Sequence, residues 1–192
     1  DTKVAFASAG RRSTVYVKQD GTMWGLGDNR WAKMSQSHGE QIHSPVKLMS
    51  DIVYATSGEH QVVTVTDSGK LYYAGWRSVH GFNQGGGNNP TFAHMMDGVA
   101  KADIYFGNMV ILTKTGDAYV YGLNTDNGIG DSAVTGGTPK KILSGVADVA
   151  AGYGFTAYLM KDGTLRIQGD NSFGQAGNGK IGGIVNMAIA DL

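Results

Sequence analysis

Apolar residues in this chain alternate with polar ones in short runs, and a helical period of 3.6 never persists for three turns. The segments VAFASAG, IVYATSG, KADIYFG and VADVAAG each alternate up to a glycine. A second run follows each of them, at 14–18, 62–66, 110–114 and 156–161, rich in the β-branched and aromatic residues that strands prefer. A two-residue turn signal comes next: Asp20-Gly21, Ser68-Gly69, Thr115-Gly116 and Asp162-Gly163. Asp-Gly between half-apolar runs predicts a hairpin with a type I′ turn, whose two central residues both need positive φ. Beyond it lie third strands, TMWGL, KLYYA, DAYVY and TLRIQ, then a long polar, glycine-rich connection. Short apolar runs starting near Pro45, Pro90 and Pro139 supply a fourth, edge-like strand, where an initial proline is tolerated.

The pattern is a repeat. The turn glycines Gly21, Gly69, Gly116 and Gly163 are separated by 48, 47 and 47 residues, and six residues after each stands Gly27, Gly75, Gly122 or Gly169. An earlier set, Gly10, Gly58, Gly107 and Gly152, opens each unit. One four-stranded sheet cannot bury both of its faces, so units of this size stack radially. The expected fold is all-β: a β-propeller of four-stranded antiparallel blades at 1–50, 51–98, 99–145 and 146–192 in a single domain. Ile189 to Leu192 repeats the phase of VADV, as though opening a fifth unit.

Composition supports this and narrows function. Of 192 residues, 41% are hydrophobic, enough for a real core, and thirty glycines against three prolines fit a fold built on tight turns. Sixteen basic residues balance sixteen acidic ones, so no global field favours nucleic acid or an anionic membrane. The absence of cysteine removes disulfides and thiolate metal sites. No apolar run is long enough to span a membrane as a helix, and the start at Asp1 suggests a processed or trimmed chain.

The phrases KDGTLRIQGDNSFGQAGNG, KQDGTMWGLGDNRWAKMSQ and SGVADVAAGYGFTAYLMKDG resemble the regulator of chromosome condensation repeat family. The likeness is strongest in unit four and weakest in unit two, where GWRSVHGFNQGG replaces the Gly-Asp-Asn phrase. It implies a seven-bladed ring, which needs roughly 330 residues. The ring is therefore expected to be partial, completed by the rest of a longer chain, by a second copy or by another protein. The family's histidine three residues after the opening glycine is replaced here by Ser13, Gln61, Val110 and Phe155.

Catalytic and metal chemistry find little support. His38, His43, His60, His80 and His94 form no metal-binding pair. Asp126, Asn127 and Asp131 lack the oxygen spacing and the closing glutamate of a calcium loop, and the glycines at 85–87 are followed by no lysine. Asp28 and Asp170 sit in Gly-Asp-Asn phrases that read as turns. No enzyme activity, cofactor or metal is expected. Binding through loops at one end of the ring is the better reading, since loops on a rigid scaffold commonly carry function. Two loop positions per unit should converge there: Arg12, His60 and Met109 with Tyr153 beside Gly154, and Trp31, Val79, Asp126 and Phe173, joined by Trp76 and Arg77. Such aromatic, methionine and arginine side chains are favoured at protein interfaces. The competing reading packs Trp31 or Phe173 between blades.

The resemblance places the same two loop positions at the target-binding face of a secreted bacterial member that inhibits β-lactamases. It implies a non-enzymatic protein-binding module of a bacterial or phage surface or secreted protein, extracellular or on a virion. An assembly module of a virion or cell-surface appendage is the alternative, and a glycan-binding module a further one.

Overall fold

The computed structural model describes residues 3–34, 38–76, 88–106, 108–122 and 138–189. Among these residues sixteen strands form four antiparallel sheets, each in simple sequential order. Blade one holds β1 (Val4–Ala9), β2 (Ser13–Lys18), β3 (Met23–Asp28) and β4 (Gln41–Met49). Blade two holds β5 (Ile52–Ser57), β6 (Gln61–Thr66), β7 (Leu71–Trp76) and β8 (Asn88–Met96). Blade three holds β9 (Val99–Tyr105), β10 (Asn108–Thr113), β11 (Ala118–Gly122) and β12 (Lys140–Leu143). Blade four holds β13 (Val146–Gly152), β14 (Phe155–Met160), β15 (Leu165–Asp170) and β16 (Ile184–Ile189). The first strand of each sheet packs on the first strand of its neighbour, so β1, β5, β9 and β13 line the inside of the arc.

The core lies between blades. Val15, Val17 and Met23 meet Ile52, Ala55 and Val62; Val63, Val65 and Leu71 meet Val99, Ala102 and Ile111; Val110, Leu112 and Val120 meet Val146, Val149 and Tyr158. Alternation along a strand sends successive side chains to opposite faces, so one strand serves two joints, as Val62 and Val63 do. A polar line follows the inner strands: Ser8 Oγ lies 3.0 Å from Thr56 Oγ1, Thr56 donates to Asp103 at 3.1 Å, and Asp103 accepts from the Ala151 amide at 2.9 Å.

The hairpin turns differ from the type I′ expectation. In all four the glycine amide donates back three residues, as Gly21 to Lys18 at 3.0 Å and Gly163 to Met160 at 3.0 Å, while Lys18 and Met160 donate to the carbonyls of Thr22 and Thr164. Only the glycine has positive φ, between 77° and 88°; Asp20, Ser68, Thr115 and Asp162 do not. This is the three-residue hairpin, a type I turn closed by a left-handed glycine bulge. Asp20 and Asp162 favour it because each carboxylate accepts the amide two residues on.

Three boundaries also move. β4 starts at Gln41 and carries Pro45 inside an edge strand, at a register irregularity opposite Gly25–Gly27. Ile189, the first residue of the phrase read as a fifth unit, pairs with Arg166 at the end of β16, and the rest of that phrase, 190–192, lies outside the described residues. In blade three the residue equivalent to Gly10, Gly58 and Gly152 is Tyr105, since β2, β6, β10 and β14 begin three residues after each.

Candidate functional site

In blades one, two and four the end of the third strand meets the loop between the first two strands at one end of the arc, and glycine brings them together. Gly27, Gly75 and Gly169 have φ of 96°, 116° and 116°. The next amide donates to the other loop: Asp28 to Arg12 at 2.7 Å, Trp76 to His60 at 3.1 Å and Asp170 to Gly154 at 2.7 Å. A Cβ on Gly75 would collide with the His60 carbonyl and sit 2.9 Å from Gln61 Cα. No other residue type fits there.

The Gly-Asp-Asn phrase then shapes the β3–β4 loop. Buried Asn29 accepts the Met34 amide at 3.0 Å and donates to the carbonyls of His38 and Gly39; Asn171 accepts the Ala176 amide at 2.9 Å and donates to the Lys180 carbonyl. Asp28 and Asp170 accept the amides of Arg30 and Ser172. These hydrogen bonds hold both carboxyls below the usual carboxylate range, with the Arg30 side chain the largest contribution at Asp28 and the Ser172 hydroxyl at Asp170. The turn reading of Asp28 and Asp170 is what the geometry shows. Inside the first loop a short 3-10 turn over Arg30–Ala32 carries Trp31 and Ala32 at φ of 72° and 51°, a left-handed pair without glycine. In blade four Gly174 takes this conformation at 78°.

On this frame a line of ring contacts crosses all four blades. Trp31 stacks on Trp76 with centroids 4.4 Å apart and planes 10° from parallel. His60 meets both edge-on, at 5.7 and 5.2 Å, and lies 6.1 Å from Phe106. Phe106 is 5.2 Å from Tyr153, which also meets Tyr105 at 6.3 Å. Burial lowers the His60 pKa, and the positive charges of Lys33, Arg11 and Arg30 lower it further against the opposing charge of Asp28, which favours the neutral imidazole at this centre. Beside it Arg11 pairs with Glu59, and Lys33, fully buried, donates to the Glu59 carbonyl at 3.0 Å. Desolvation pushes the Lys33 pKa down to about 8.

Four of the residues singled out in the sequence, Trp31, His60, Trp76 and Tyr153, therefore share one line. Arg12 is exposed and lines a cavity of about 400 Å³ on the outer side of blade one, with Gly27, Asp28 and Ile42. Phe173 is 91% exposed and borders a second cavity with Tyr153 and Ile184. Met109 is misplaced by the sequence reading: it is a fully buried β10 residue in the joint between blades two and three. Counting from Gly107 instead of Tyr105 put it two positions out of phase; the true counterpart of Ser13 and Gln61 is Asn108, not Val110. Arg77, Val79, the 126–131 loop and the glycines at 85–87 lie outside the described residues. Phe106, Tyr105 and Lys33 were missed. Phe106 stands 47 residues from both Glu59 and Tyr153, so the repeat step alone locates it. Among the described residues no group of three His, Asp or Glu side chains could hold a metal ion.

Residues 146–175 match the profile of the regulator of chromosome condensation (RCC1) repeat. No curated protein sequence matches the chain. Among solved structures, yeast RCC1 (Prp20), determined with Kap60, superposes on all of this chain and 50% of its own, with a TM-score of 0.85 at 15% identity. Prp20p from Saccharomyces cerevisiae, studied with its binding to Gsp1p and histones, gives 0.81 over 97% of this chain and 50% of its own at 16% identity. Human WBSCR16 gives 0.77 over 95% and 52% at 15% identity. The chain thus spans about half the length of the propellers it resembles. The repeat in its fourth blade thus matches the RCC1 repeat, and the fold of all four blades is that of the RCC1-type β-propellers.

Proposed function

We propose that this chain is a protein-binding module that engages its partner through the end of the arc carrying Trp31, Trp76, His60, Phe106 and Tyr153. The observation that carries this reading is the continuous ring contact across four blades, on loops held by glycine and asparagine rather than by the ligand. Tyr105 and Tyr153 are the exposed members, and Arg11 and Arg30 flank the first blades with half-exposed guanidiniums. Rigid aromatic side chains with arginine at the margin are the composition of interface anchors, because they exclude water over a large area at small entropic cost. The neighbour Prp20p, which shares the fold, has been studied binding Gsp1p and histones. A bacterial or phage surface or secreted setting is part of the proposal and rests on the sequence resemblance.

Site-directed photo-crosslinking tests the reading. A crosslinking side chain at Tyr153 should capture a protein that the same group at Lys47, on the outer strand, does not. Tyr153→Ala and His60→Ala should each weaken that complex by about 10- to 100-fold. Equal capture from both positions would remove the proposed face.

The assembly reading is favoured by a different observation: among the described residues no extensive packing joins blade four to blade one, and Val4 and Leu159 are exposed where their counterparts in the inner joints are buried.

A further inference from the structure

His60 ties three blades together at the aromatic end. Its ring meets Trp31 of blade one, Trp76 of its own blade and Phe106 of blade three, and its carbonyl accepts the Trp76 amide at 3.1 Å. The Trp31 and Trp76 centroids are 4.4 Å apart and that of His60 is 5.7 and 5.2 Å from them, so the imidazole lies beside the stack and not on top of it. Approached from the side, stacked rings offer their electropositive rims more than the faces that attract a cation. Two of the rings it touches stand on strained backbone: Trp31 has a φ of 72° and Phe106 one of 41°, in the region that bulky residues avoid. Such strain persists where surrounding contacts hold it, and it collects at segments that switch. Loss of the His60 contact would remove from each of them a packing partner that opposes the strain.

The charges around His60 are matched except for one. Arg11, from the β1–β2 loop, pairs with Glu59, the neighbour of His60 in its own loop. Arg30, in the β3–β4 loop, holds Asp28 at the end of β3 by two side-chain hydrogen bonds of 2.9 Å. Glu59 Oε1, already taken by Arg11, is 3.7 Å from the imidazole Nε2. Lys33, fully buried in the same joint, is held by a neutral acceptor, the Glu59 carbonyl at 3.0 Å. Trp76 and Phe106 bring no charge, and Arg77 lies outside the described residues. A proton on His60 would therefore add a second cation beside Lys33, with both nearby carboxylates already engaged. The counterparts of His60 in the other blades are Arg12, Gly107 and Gly154, none of which changes charge between pH 5 and 8, so the effect is confined to one joint.

We propose that His60 is an acid-released latch: as the neutral imidazole it holds Trp31, Trp76 and Phe106 in one line, and on taking a proton it lets the line part. Burial, then the charges of Lys33, Arg11 and Arg30, keep its pKa below the ordinary 6.5 in the closed joint, with Asp28 opposing. The open form thus binds more protons, and the closed form loses stability as pH falls through the ordinary histidine range. A partner seated on the line would bind at neutral pH and leave in acid. This last consequence rests on the binding role proposed above; the latch itself does not.

Far-ultraviolet circular dichroism of the 192-residue chain from pH 7 to pH 5 tests the latch through the exciton couplet of Trp31 and Trp76, in a range where Lys33, with a pKa of about 8, is already charged. The wild-type couplet should fall reversibly by about half or more, while His60→Gln, which cannot take the proton, keeps its couplet constant. Lys33→Met removes the unmatched charge and should make the fall smaller, because the closed joint then tolerates the imidazolium better. If His60→Gln has no couplet at pH 7, the comparison of Lys33→Met with the wild type still decides. For binding, the probe is the protein captured by the crosslinker at Tyr153: its Kd should rise by about 5- to 10-fold from pH 7 to pH 5 for the wild type and by less than about 2-fold for His60→Gln. A wild-type couplet that holds or grows on acidification would overturn the latch, as would an equal fall in His60→Gln or in Lys33→Met. A couplet that falls while the affinity holds would support the latch and remove the binding role.

Discussion

Trp31 and Trp76 stack across the joint between the first two blades, centroids 4.4 Å apart and planes 10° from parallel, while the Trp31 backbone sits at a φ of 72°. A bulky residue in the left-handed region costs energy that surrounding contacts must offset. Here the offsetting contacts are the Trp76 face and the His60 edge. The resemblance alone could not decide whether Trp31 is a ligand anchor or a packing residue; its ring contacts show that it is a joint residue, placed at the end of the arc proposed to bind.

Trp31→Ala is therefore expected to destabilise the chain by about 2–3 kcal/mol, below the cost for a fully buried tryptophan because the ring is half-buried. Urea denaturation reads the loss, and far-ultraviolet circular dichroism should lose the exciton couplet of the two indoles. A couplet that survives the substitution would show that the rings do not stack in solution.

Ala32→Gly makes the opposite prediction. Ala32 holds φ of 51° where blade four has Gly174 at 78°. Releasing a left-handed alanine gains about 1–2 kcal/mol, and the extra freedom of glycine in the unfolded chain costs about 0.5–1 kcal/mol. The variant should be more stable by roughly 0.5–1 kcal/mol in the same urea experiment. A loss of stability would mean that the loop has another conformation.

The blades were legible in the sequence because two glycine registers, at the hairpin turn and six residues beyond it, kept a step of 47 or 48 residues, and their glycines take the positive φ that the turn and the loop need. The turn type was not legible, since Asp-Gly suits both a two-residue turn and a three-residue bulge, and the register of the flanking strands decides between them. At the candidate site, Trp31, His60, Trp76 and Tyr153 were singled out in the sequence, but a stray glycine at position 107 drew the count two positions off phase onto the buried Met109 and hid Phe106, the counterpart of Tyr153. Lys33 gave no signal, because a lysine in a polar loop reads as solvated; only the depth of the blade joint shows it buried. The sequence could not show whether Phe173 is packed or exposed, since that depends on a neighbour blade beyond the fourth.

Gly75→Ala should separate crowding from backbone strain. Gly75 and Gly179 both have positive φ, 116° and 71°, but a Cβ on Gly179 meets nothing within 4 Å, whereas on Gly75 it meets the His60 carbonyl. Gly179→Ala is expected to cost about 1 kcal/mol, the left-handed penalty alone. Gly75→Ala should cost about 3 kcal/mol or more and quench or shift Trp76 fluorescence, because the two loops must part. Equal costs would show that the loops are not joined at this point.

Lys33 gives the joint between blades one and two a pH dependence. Its Nζ has the Glu59 carbonyl as acceptor, with Asp28 favouring the charge and Arg30 opposing it, and desolvation dominates. The folded-state pKa of about 8 lies below the ordinary value of 10.5, so between these values the unfolded chain binds more protons than the folded one. Stability from this group must then rise with pH across that window; the penalty is present in full below pH 8 and gone above pH 10.5. Lys33→Met keeps the length of the side chain and removes the charge. At pH 7 the variant should be as stable as the wild type or more stable by roughly 1–3 kcal/mol, since replacing a desolvated charge by an apolar side chain is commonly neutral or favourable. The difference between variant and wild type, in which the other titrating groups cancel, should shrink as pH rises from 8 to 10.5. A difference that stays flat over this range would mean that Lys33 is solvated and that the two blades do not close over it.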